Sequence, residues 1–119
     1  MTMQKQPNII LITTDQQRFD TLPPYAPSFL RTPHINHLMR DGVTFDKAYS
    51  CSPICVAARA SIITGKFPRT TKILANQNTS LTIGHKNTLP SCLRECGYQT
   101  AAIGKMHFGP ERVRHGFDE

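Results

Sequence analysis

Near its start the chain carries a short, continuous β-branched apolar run, Asn8-Ile-Ile-Leu-Ile-Thr-Thr. A run of this kind reads as a strand buried on both faces, which a parallel sheet covered by helices provides. It ends at Asp15-Gln16-Gln17. A polar cluster directly after a buried strand lies at the strand's carboxyl end, where open α/β sheets bind their ligands.

Helix and strand signals then alternate. Beyond Pro23, Pro24 and Pro27, Thr32-Pro33 opens a helix with a hydroxyl as N-cap and proline in the first position. Ile35, Leu38 and Met39 supply its apolar face and Gly42 ends it. A second strand is expected over residues 43–49, and a second, Ala-rich helix over 56–64, closed by Gly65. Residues 66–86, with Pro68, Asn76, Asn78 and Gly84, read as loop. Thr88-Leu89-Pro90 opens a third helix that Gly97 closes, and a last strand over 98–103 runs into Gly104-Lys105-Met106-His107. Without any internal repeat, this alternation predicts an α/β fold, with 1–119 as part of one domain. No closing element follows the last strand, so the chain reads as truncated.

At 119 residues, 39% hydrophobic and 18% charged, the chain has enough apolar surface for a core and is not of the disordered class. Its net charge of +6 fits an anionic substrate. The basic residues are scattered from Lys5 to Arg114 without a dense run or interleaved aromatics, so nucleic-acid binding is not expected. No apolar run approaches the roughly 20 residues that span a bilayer, and Met1-Thr-Met-Gln-Lys-Gln-Pro carries no signal-like segment. A cytoplasmic, non-membrane protein is the expectation.

Cys55 falls at the start of the Ala-rich helix, where unpaired N–H groups and the helix dipole favour negative charge. Arg59 lies one turn on along the same face, able to point its guanidinium towards whatever Cys55 holds. By spacing alone, a small core cysteine beside a surface arginine is the commoner arrangement. Cys92 and Cys96 stand four apart within the third helix, but no histidine nearby completes a metal-ligand set, so they read as core residues. Cys51 has no assigned role.

The wider stretch Pro53-Ile-Cys-Val-Ala-Ala-Arg-Ala-Ser-Ile-Ile-Thr-Gly65 resembles the sulfatase signature, matching it in register at Cys55, Arg59, the paired isoleucines and Thr64-Gly65. It departs at Ala57, where that family usually has proline, and at Val56, bulkier than the usual small residue. Gly97-Tyr-Gln-Thr-Ala-Ala-Ile-Gly-Lys-Met-His107 resembles the family's second signature. Taken alone, Lys105 and His107 are a solvated lysine and a loop histidine; in an extended chain they project to one side and can reach one anion. Pro7 to Arg18 is similar to the superfamily's opening strand, and Asp15-Gln16 to the branch that includes phosphonate monoester hydrolases and choline sulfatases. Without that resemblance, Asp-Gln after a strand is a capped turn and Asn76 a turn residue.

The resemblance implies the alkaline-phosphatase-like fold, a mostly parallel sheet flanked by helices, of which this chain is the opening part. It implies that Cys55 is oxidised to formylglycine by a formylglycine-generating enzyme, with Arg59 and His107 at the catalytic centre. Lys105 and Asn76 would contact substrate, a sulfate ester of a small molecule or saccharide. Asp15 and Gln16 would ligate a divalent cation, whose oxygen donors suit calcium, with manganese and magnesium as alternatives. One hydroxyl of the hydrated aldehyde would attack sulfur and release the alcohol, and loss of the other hydroxyl's proton would expel sulfate and restore the aldehyde. The rivals are a phosphonate or phosphodiester hydrolase of the same superfamily, and a non-catalytic fragment or four-cysteine metal module.

Overall fold

The structure is a computed structural model, in which residues 6–76, 86–110 and 112–119 are described. The chain divides between Asp46 and Lys47 into two compact units, each considered by itself.

In the first unit, a single 3-10 turn, Phe19–Thr21, follows the Asp15-Gln16 corner, and the Phe19 and Tyr25 rings meet at 4.5 Å. Helix α1 spans Pro33–Asp41 with Thr32 as N-cap and proline in its first turn, as the sequence predicts. The Thr32 hydroxyl does not cap a backbone N–H; it donates instead to Asn36 Oδ1 at 2.8 Å. Ile35 and Met39 are half-buried while Leu38 is exposed, so the expected apolar face is covered only in part.

The second unit is built around α2, Cys55–Thr64. Val56, Ala60 and Ile63 recur at the i, i+4, i+7 spacing of one helix face and form the core with Ile73 and Phe108. Ile54, Met106 and Phe117 pack against that cluster. Gly65, at φ 65°, ends the helix in the left-handed conformation. Ile62 and Ile63 face different ways, because adjacent positions on a helix lie about 100° apart. Ile63 is buried and Ile62 exposed.

A short helix that the loop reading missed, α3 (Pro68–Thr71), packs on α2. Its first-turn proline is a start signal, but four residues carry no periodicity to read. Asn78 and Gly84 of the same loop lie outside the described residues. Helix α4, Leu89–Glu95, also packs on α2 and opens with a capping box: Thr88 and Ser91 exchange side-chain and backbone hydrogen bonds. Cys92 and Cys96 are exposed rather than core. The buried positions of α4 are Pro90 and Ser91, on another side of the helix. Among the described residues the cysteines join no metal-ligating group of three or more.

No strand ladder forms among the described residues, so the expected sheet has no counterpart there. A strand requires main-chain partners along its length. Residues 8–14 are non-helical and expose Ile10 and Ile12, and the expected strand over 43–49 is interrupted by a turn at Asp46-Lys47. Residues 100–102 do pair with the chain's last residues, contrary to the expectation that nothing closes the final strand. Asp118 N–H donates to the Thr100 carbonyl at 3.0 Å, and Ala102 N–H to the Glu119 carbonyl at 3.1 Å.

Asp118 fastens this pairing. Its Oδ2 accepts from the Thr100 N–H at 2.9 Å and the Thr100 hydroxyl at 3.1 Å, while its Oδ1 meets Arg94 Nε of α4 at 2.6 Å. The Thr100 N–H, bonded to the charged form, holds the carboxyl below its ordinary 3.8; burial opposes this, and the Thr100 hydroxyl and Arg94 add to it. A carboxyl depressed in the folded state contributes stability that is present above its unfolded pKa and is lost as pH falls through its folded value. Resistance to urea should therefore hold above about pH 5 and decline below about pH 4, and Asp118→Asn should shrink that decline. Urea midpoints measured for both proteins from about pH 6 down to about pH 3 check this.

Candidate active site

Cys55 is the first residue of α2, half-buried, and the preceding Ile54 supplies no side-chain cap for the helix's opening N–H groups. The first helical bond runs from Ala58 N–H to the Ile54 carbonyl at 2.9 Å. Backbone donors in this turn therefore point towards the region around Cys55, as an anion at that thiol's position requires. One is engaged from outside the helix: Val56 N–H donates to Asn76 Oδ1 at 3.4 Å. Asn76 is thereby brought to the Cys55 turn, although the loop carrying it had little sequence signal. Ala57 is fully buried as the third residue of α2, where a proline would forfeit only an N–H that no helical carbonyl reaches. The helix thus forms at this departure from the signature.

Cys55, Arg59 and Ile62 make the stripe beside the core-facing Val56, Ala60 and Ile63. Arg59, half-buried, donates from Nη1 to the Lys105 carbonyl at 2.7 Å. This bond crosses 46 positions of sequence and joins the two segments that sequence reading had singled out separately. A guanidinium presents its donors in a fixed planar fork, a geometry that suits an anion.

The expectation that Lys105 and His107 project to one side of an extended chain is corrected. Gly104 has φ 96° and His107 φ 64°, so residues 104–107 turn rather than run straight. Lys105 is exposed and His107 half-buried. The Nδ1 of His107 is buried with no hydrogen-bond partner. Buried polar atoms are normally satisfied, so this nitrogen is a candidate for engagement by a bound group. His107 and Gln16 are both non-glycine residues in the left-handed region, Gln16 at φ 58°. Strained backbone of this kind concentrates at sites of function. Asp15 and Gln16 belong to the first unit and present a carboxylate and an amide oxygen, both suited to a hard cation.

The roles of Thr100 and Asp118, and the contact of Thr88 with His115, were not legible in the sequence. Their contacts span 18 to 27 positions, with no motif to announce them.

The comparisons with known proteins agree with the two signatures. A family profile described as Sulfatase matches residues 7–119. An arylsulfatase of Clostridium perfringens is 38% identical over 112 residues, covering 94% of this chain and 23% of that protein. A choline-sulfatase of Rhizobium meliloti is 37% identical over 119 residues, covering 96% and 22%. An N-acetylglucosamine-6-O-sulfatase of Bacteroides thetaiotaomicron is 35% identical over 114 residues, covering 96% and 20%. The chain belongs to the sulfatase family, and so to the alkaline-phosphatase-like superfamily fold. It spans about a fifth to a quarter of the length of these relatives.

Proposed function

We propose that this chain carries the nucleophile segment of a sulfuric ester hydrolase, with Cys55 as the precursor of its formylglycine. The observation that carries this reading is the Arg59 to Lys105 bond, which sets the helix of the first signature against the loop of the second. Formylglycine, once hydrated, supplies a hydroxyl nucleophile for sulfur and a route for releasing sulfate by restoring the aldehyde. The α2 N-terminus and Arg59 stabilise the anion that develops at Cys55, and Lys105 holds an ester oxygen. His107 uses its buried ring nitrogen to move a proton at the reacting group. Asn76 stands at the same helix end as a substrate contact. Asp15 and Gln16 contribute two oxygen ligands to a divalent cation, calcium by donor type, which adds Lewis-acid polarisation of the substrate. In this reading the segments over 8–14 and 98–103 each supply a strand in the full-length protein.

The substrate is a sulfate ester of a small molecule or saccharide, the class that the relatives' names describe. A phosphonate or phosphodiester hydrolase is the second reading, favoured by the Asp15-Gln16 pair.

The test is co-expression with a formylglycine-generating enzyme, followed by mass spectrometry of the peptide containing Cys55. Conversion to the aldehyde, trapped by a hydrazide label, is the expected outcome. The chain then replaces the matched segment of a sulfatase relative, and the chimera is assayed on aryl sulfate and on phenyl phosphonate esters. An unmodified thiol throughout, or a chimera inert on sulfate but active on phosphonate, would overturn the sulfatase reading.

A further inference from the structure

The segment bearing Lys105 and His107 is held at two places. At Lys105 its carbonyl takes the Arg59 bond at 2.7 Å. At its root, residues 100–102 are held by the chain's last two residues through Asp118 N–H to the Thr100 carbonyl and Ala102 N–H to the Glu119 carbonyl. Between these two anchors stands Gly104 at φ 96°, a conformation that side-chain-bearing residues rarely adopt. With one anchor released, the segment can pivot there.

The root anchor depends on one carboxylate. Asp118 Oδ2 accepts two hydrogen bonds from Thr100, itself buried, and Oδ1 pairs with Arg94 on α4. Arg114 donates to the Asp118 carbonyl, and Gln99 Nε2 to Glu119 Oε1 at 3.2 Å. Only a group that accepts on both oxygens can serve Thr100 and Arg94 together, since a neutral amide has one acceptor oxygen and turns N–H groups towards the other donor. We propose that Asp118 is a positioning residue: by tying Thr100 to α4, it sets where Lys105 and His107 present their side chains to an anion. The anion's identity rests on the sulfatase reading, whereas the tether itself does not.

The experiment is hydrogen exchange of backbone amides by NMR on the whole chain, as wild type, Asp118→Asn and Thr100→Val, with inorganic sulfate as the ligand probe. Thr100→Val keeps the backbone bonds and removes only the hydroxyl contact, so it covers the case in which Asp118→Asn does not fold. Exchange at Ala102 and at residues 105–107 should rise about tenfold in Asp118→Asn and less in Thr100→Val, with the α2 amides unchanged. A uniform rise in α2 and in 102–107 would mean a merely structural residue. No change at 102–107 would overturn the proposal outright.

Sulfate titration then separates the two claims. In wild type, the amide shifts of Lys105 and His107 should respond to sulfate, with an affinity about fivefold weaker in Asp118→Asn and intermediate in Asp118→Glu, which restores the charge. Equal affinities in wild type and Asp118→Asn would overturn the positioning role. Absence of any response in wild type, with the exchange pattern as expected, would overturn the anion reading and leave the tether standing.

Discussion

Cys55→Ala, in the chimera that supports turnover, is expected to lower kcat on an aryl sulfate by about 10,000-fold or more, the loss that follows when a covalent nucleophile is removed. KM should move far less, because Arg59, Lys105 and the α2 N-terminus remain to bind the ester. Cys55→Ser separates chemistry from size. It keeps the small side chain at the helix start but leaves an alcohol, so any activity should follow whether the modifying system accepts serine. The isolated 119-residue chain, with Cys55 converted, should turn over no faster than its own Cys55→Ala control. Calcium takes about 6–8 oxygen ligands, whereas Asp15 and Gln16 carry only three side-chain oxygens between them. Steady-state assays in calcium and in manganese decide both points, and turnover by the isolated chain well above the control would show a complete catalytic centre within it.

Gly116→Ala is expected to cost about 3–5 kcal/mol and to unfold much of the second unit, from backbone strain and overpacking together. Gly116 has φ 100°, which L side chains rarely adopt, and a Cβ there would lie 2.4 Å from Thr88 Oγ1. That hydroxyl has little room to yield. It belongs to the α4 capping box and also donates to the His115 carbonyl at 3.3 Å. A Cβ would also crowd Ser91 N at 3.3 Å and Pro90 Cγ at 3.4 Å. Urea unfolding of Gly116→Ala, Thr88→Ala and the double variant forms a cycle. The clash predicts that the double variant is less unstable than the sum of the singles, while the backbone penalty at φ 100° persists. A Gly116→Ala protein within 1 kcal/mol of wild type would show that the turn relaxes freely, against the expected cost.

The helices were legible in the sequence because their signals are local. Thr32-Pro33, Cys55 to Gly65 and Thr88-Leu89-Pro90 each set a helix boundary through caps, prolines and glycines a few residues apart. The place of Cys55 at the head of α2 followed from the same grammar, as did its i, i+4 relation to Arg59. The short α3 was missed because one turn has no period, and the adjacent Ile62 and Ile63 do not by themselves say which faces inward. For the sheet, the apolar run at 8–14 states only that the segment can be covered on both faces. Its neighbours must come from main chain elsewhere, and no pattern within the run names them.

The sequence by itself determined the family, the helix containing Cys55 and the identities of the groups offered to an anion, since each is written in contiguous residues or in short spacings. Only the tertiary structure decided what those groups touch. The Arg59 to Lys105 bond spans 46 positions, and its existence depends on how α2 packs, not on either segment alone. The turn at Gly104 and His107, which breaks the alternation expected of a strand, is likewise imposed by contacts on either side of it. Asp118 near the chain's end acquires its role from Thr100 and Arg94, 18 and 24 positions earlier. A carboxylate's partners are chosen by proximity in space, and proximity across such separations is set by the burial of Val56, Ala60, Ile63 and Phe108, which sequence order does not encode locally.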